Sequence, residues 1–70
     1  MLMEIKLKNN IIRMICGYTV IFYQTEENRW FYYIFEEQKI SKYIYDMFSF
    51  CHREAISHCK DIYYMKGEKV

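Results

Sequence analysis

Arg29-Trp30-Phe31-Tyr32-Tyr33-Ile34-Phe35 sets six consecutive aromatic or aliphatic side chains behind one arginine, and no other stretch constrains the fold as strongly. A membrane helix needs about 20 apolar residues, so this run is too short to be one, and polar turns bound it on both sides. It reads as a central β-strand. Successive side chains on a strand point to opposite faces: Trp30, Tyr32 and Ile34 line one, Phe31, Tyr33 and Phe35 the other. Both faces are apolar, so both need covering.

The neighbouring segments supply the rest of a sheet. Met3 to Lys8 alternates apolar and charged residues with period two, as a half-wet strand does. Asn9-Asn10 offers a hairpin turn and Cys16-Gly17 a second turn or bulge, because Asn and Gly tolerate positive φ. Polar turns at Thr25-Glu26-Glu27-Asn28 and Glu36-Glu37-Gln38-Lys39 bracket the aromatic strand. Strands are thus predicted at about 3–8, 11–15, 18–24, 29–35 and 40–47. From Cys51 the period changes: Ala55, Ile56, Cys59, Ile62 and Tyr63 recur at helical spacing. A helix is predicted over about 51–65, with Ser49 as its cap and Lys66-Gly67 as its stop. The fold class expected is a single small α+β domain, a five-stranded antiparallel β-meander with one C-terminal α-helix packed on one sheet face.

Even-numbered turns set Tyr23 opposite Trp30 and Ile21 opposite Tyr32, with Trp30 beside Tyr45. One face then carries no formal charge, and the helix is expected there, over Trp30, because burying an unpaired charge costs several kcal/mol. Trp30 should lie against Ala55, Ile56 and Cys59. The opposite face, left open, centres on Val20, Phe22, Phe31, Tyr33, Phe35 and Ile44, with Lys6, Lys8, Arg13 and Lys42 at its rim. A dry centre inside a charged rim is the layout of a protein interface.

Composition narrows the chemistry. Seventy residues with 53% hydrophobic content and no proline should fold, and a net charge of +1 gives no strong global field for nucleic acid or an anionic membrane. Three cysteines without tight spacing, and no secretory leader ahead of them, predict a reducing, cytoplasmic setting. Cys51-His52 and His58-Cys59 carry zinc-type ligands, but on one helix they lie about 10 Å apart, too far for one ion, so no metal or other cofactor is expected. Glu26-Glu27 and Glu36-Glu37 fall at opposite ends of one strand, about 20 Å apart, and cannot work as an acid/base pair. No enzyme activity is expected.

The function expected is therefore a non-enzymatic protein-interaction module. Its partner is a second copy, or a larger effector protein that it regulates or inhibits. The alternative is single-stranded RNA stacking on Phe31 and Tyr33 beside the basic rim.

Overall fold

A computed structural model describes residues 4–67. Four antiparallel strands, β1 (Leu7–Ile15), β2 (Tyr18–Thr25), β3 (Trp30–Ile34) and β4 (Lys39–Ile40), form one open sheet in the order β1-β2-β3-β4, and α1 (Phe48–Gly67) packs on one of its faces. This is the small α+β meander with a C-terminal helix that the sequence predicts, with four strands where five were expected.

The β1–β2 turn is a two-residue hairpin. Cys16 and Gly17 both adopt positive φ, 50° and 82°, the backbone a type I′ turn requires. Ile15 then pairs with Tyr18, and the register runs regularly to Asn9 opposite Gln24.

Three expectations about the strands are corrected. Asn9-Asn10 does not turn the chain: β1 runs straight through it, with one register irregularity between Leu7 and Asn9. A hairpin there would leave the end of β2 from Tyr23 to Thr25 without a partner, whereas a continuous β1 pairs all of it. Met3, the expected start of a separate first strand, lies outside the described residues; Glu4 to Lys6 form no strand, and the Lys6 carbonyl accepts the Glu26 N–H. The predicted strand over 40–47 is reduced to β4 and an isolated bridge between Trp30 and Tyr45. Tyr32 pairs with Ser41 and Trp30 with Tyr45, so residues 42–44 face the single residue Phe31 and the ladder breaks. The Ser41 hydroxyl bridges the break, accepting the Tyr32 N–H at 3.3 Å and donating to the Tyr43 carbonyl at 2.9 Å.

The helix begins at Phe48, ahead of the predicted cap Ser49, and continues through Lys66 to Gly67. Its buried stripe is Cys51, Ala55 and Cys59, extended by Phe48 and Ile62. Ile56 is half-buried and Tyr63 exposed. Three small residues along the centre of the stripe let the helix approach the sheet closely enough to enclose Val20, Phe22 and Ile34, all 0% exposed. Trp30 faces the helix layer as expected but is only half-buried, with its ring edge-on to Phe48 at 4.8 Å. Lys66 pairs with Glu37, fastening the end of the helix to the β3–β4 turn.

The packing makes the thiols unequal. Cys16 is exposed in its turn, while Cys51 and Cys59 lie in the core. A thiol-specific reagent should therefore modify one cysteine rapidly in the native protein and the other two only at the rate of unfolding. Three equally fast thiols, counted by mass spectrometry, would contradict the helix placement.

Candidate functional site

One backbone angle decides which residues share a face. The β2–β3 loop contains three residues, Glu26, Glu27 and Asn28: the Thr25 N–H donates to the Arg29 carbonyl at 2.8 Å, and Asn28 takes φ 66°. This is a type I turn closed by a left-handed residue, a geometry asparagine tolerates. The buried Thr25 hydroxyl accepts the Arg29 N–H at 3.1 Å and reinforces it. An odd loop shifts the pairing by one residue relative to an even one, and with period two that exchanges every facing on β3.

The observed pairs are accordingly Val20 with Ile34, Phe22 with Tyr32, and Tyr23 with Phe31. Val20 and Phe22, expected on the open face, lie instead in the core under the helix. Phe31, Tyr33 and Phe35 do lie on the open face, where they meet residues assigned to the covered one. Three cross-strand rows result, from the register of β1 through β4. Asn10, Tyr23 and Phe31 form the first, with the two rings stacked at 5.1 Å. Ile12, Ile21, Tyr33 and Ile40 form the second. Met14, Thr19 and Phe35 form the third, held by the Phe35 N–H donating to the Thr19 carbonyl at 2.9 Å.

No strand residue in these rows is charged. Ile12, Met14, Phe35 and Ile40 are 60–65% exposed, so the helix leaves a charge-free apolar face open to solvent. At its margin the Glu36 carboxylate accepts the Thr19 N–H and hydroxyl, both at 2.7 Å, and these bonds lower its pKa. Ile12, Met14, Ile21 and Tyr23 were missed as site residues because their facing relative to β3 depends on the Asn28 loop. The available signal was Asn at the third loop position, where a left-handed residue is commonly found.

The expected rim does not assemble. Arg13 pairs with Val20 and so faces the helix side; it stays exposed because the helix, about 10 Å wide, is centred on β2 and β3 and only partly covers β1. Lys42 borders a cleft on the helix side. Lys8 donates to Asn28 Oδ1 at 2.7 Å at the turn end of the sheet. Lys6 and Ile44 lie beside Thr25 at that same end, where the Ile44 carbonyl accepts from the Arg29 guanidinium, itself paired with Asp46 at 3.1 Å.

The helix-side cleft, about 320 Å³, lies between residues 42–45 and α1 and is walled by Tyr32, Tyr43, Tyr45, Glu54, His58 and Asp61. Tyr32 reaches His58 Nδ1 at 2.7 Å. Burial first, then the nearby Tyr45, Cys51 and Glu54, push the Tyr32 hydroxyl well above its ordinary pKa. It is therefore held protonated, and the pair anchors helix to sheet instead of generating a nucleophile. Among the described residues no three His, Cys, Asp or Glu side chains gather as a metal site, and no helix is long and apolar enough to cross a membrane.

Comparison with protein families, curated proteins and solved structures finds no match to this chain.

Proposed function

We propose that this protein is a non-enzymatic interaction module. Its working surface is the open sheet face, and its partner is a larger effector protein that it regulates or inhibits in the reducing setting of the cytoplasm. The observation that carries the reading is the charge-free strip Ile12, Ile21, Tyr33 and Ile40, flanked by the stacked Tyr23–Phe31 pair, which the only helix among the described residues leaves uncovered. Contiguous exposed apolar area of this kind marks interaction sites, and rigid aromatic anchors carry most of the binding energy once water is excluded around them. The RNA reading is the weaker one, since Arg13 and Lys42 face the helix side and supply no basic rim to the aromatic face.

Phe31→Lys tests this. Phe31 lies on the open face, so the variant should keep the wild-type circular dichroism and lose at least tenfold in affinity for whatever protein the wild type retains from its host. Lys60→Glu, on the exposed side of the helix, should keep that partner. Equal retention by wild type and Phe31→Lys, with loss in Lys60→Glu, would move the working surface to the helix.

A further inference from the structure

We propose a second interaction surface, the edge of β1 that is free among the described residues, at which two copies of this chain pair antiparallel and join their sheets. It goes beyond the open-face reading, and only the area of the joined platform rests on that reading.

The two edges of the sheet differ sharply. β4 is two residues long, which protects that edge, whereas β1 runs for nine residues. Its hydrogen-bonding direction follows from its neighbour. Thr19 spends both backbone groups on the β3 side, donating to Glu36 and accepting from Phe35, so the Met14–Thr19 pair is not hydrogen-bonded across to β2. By the alternation of an antiparallel ladder, Asn10, Ile12 and Met14 point their N–H and C=O groups outward. Asn10 bears this out locally, because its N–H takes Asn9 Oδ1 at 2.9 Å. Ile12 and Met14 retain an open template for another strand.

A second copy fits that template. With a twofold axis at Ile12, the two Ile12 residues exchange both backbone bonds, Asn10 faces Met14 of the second copy, and Arg13 faces Ile11. No like charges are opposed. The areas agree as well. One open face, four strands wide and three rows long, spans on the order of 400 Å², about half of the roughly 800 Å² per partner of a standard interface. Joining two sheets along β1 places the two charge-free faces side by side and doubles the platform.

Sedimentation of the full chain at high micromolar concentration should give twice the monomer mass. Ile12→Pro removes only an outward N–H and should give a monomer with native circular dichroism, and Phe31→Lys should remain dimeric, which separates this surface from the open face. Amide exchange supplies a readout without mutation: the Ile12 and Met14 amides should exchange at least a hundredfold more slowly than expected for unpaired edge groups. If Ile12→Pro fails to fold, Ile12→Glu, which sets two carboxylates at the axis, should also give a monomer. A monomeric wild type with fast Ile12 and Met14 amides, or a dimer that survives Ile12→Glu, overturns the proposal.

Discussion

Phe22→Ala is expected to unfold this domain. The side chain is fully buried, with Phe48 5.2 Å, His52 5.6 Å and Tyr32 6.3 Å from its ring centroid. Truncating such a phenylalanine costs about 3–5 kcal/mol, from lost transfer energy and the cavity left behind. A single core in a chain of this length supplies roughly 3–5 kcal/mol of net stability, so the folded population falls to a minor fraction. Phe35→Ala, at a position 60% exposed, should cost less than about 1 kcal/mol. Urea melts of the two variants therefore discriminate between the faces. A folded Phe22→Ala beside an unfolded Phe35→Ala would restore the even-loop register and place the helix on the other side of the sheet.

Alkali should dissolve the same core cooperatively. Three of its members, Tyr32, Cys51 and Cys59, are weak acids. Burial raises the Cys51 thiol from 9.0 to about 12; burial, with smaller contributions from Cys16 and Glu36, raises Cys59 to about 11. Tyr32 is raised as well. Each group prefers its protonated form more strongly in the folded state than in the unfolded chain, so its contribution to stability is complete below pH 9 and is lost as the pH climbs through 11 to 12. For Cys51 alone the rise corresponds to on the order of 4 kcal/mol, comparable to the net stability of the whole domain. Circular dichroism should hold steady to about pH 9 and collapse before pH 12, with the absorbance of the two core thiolates appearing in the same transition. More than one thiolate forming near pH 9 in a still-folded protein would place Cys51 or Cys59 outside the core.

Both results turn on the boundary between local and tertiary information. Much of the architecture was legible in residue order. Period-two alternation and the aromatic run specify strands at 18–24 and 29–35. The spacing of Ala55, Cys59 and Ile62 specifies the helix, and Cys16-Gly17 specifies the two-residue turn, because these signals depend on residues a few positions apart. The approach of Tyr45 to Trp30 was expected too, but it is reached through the break at residues 42–44 and not by an unbroken register counted along the chain.

Facing could not be counted in the same way. It rests on whether the loop between β2 and β3 has an odd or an even number of residues, and Asn28 at φ 66° makes it odd. That single angle carried Val20 and Phe22 into the core and left Ile12, Ile21 and Tyr23 beside Phe31 and Tyr33. The charge rule failed at Arg13 for a related reason: a helix centred on β2 and β3 only partly covers β1, where Ile11 and Ile15 reach the core, so the charge of Arg13 on that side of the sheet remains in water. Which of two comparably apolar faces received the helix was decided by hydrogen bonding in three dimensions. The covered face buries the hydroxyls of Tyr32 and Ser41, and both are met, the first by His58 and the second by the Tyr32 N–H and the Tyr43 carbonyl; covering the other would have buried Tyr23, Tyr33 and Asn10. Residue order thus determined the elements and their sequence, while the pairing of the loop ends and the one phenol–imidazole contact decided which side of the sheet became core and which was left to bind.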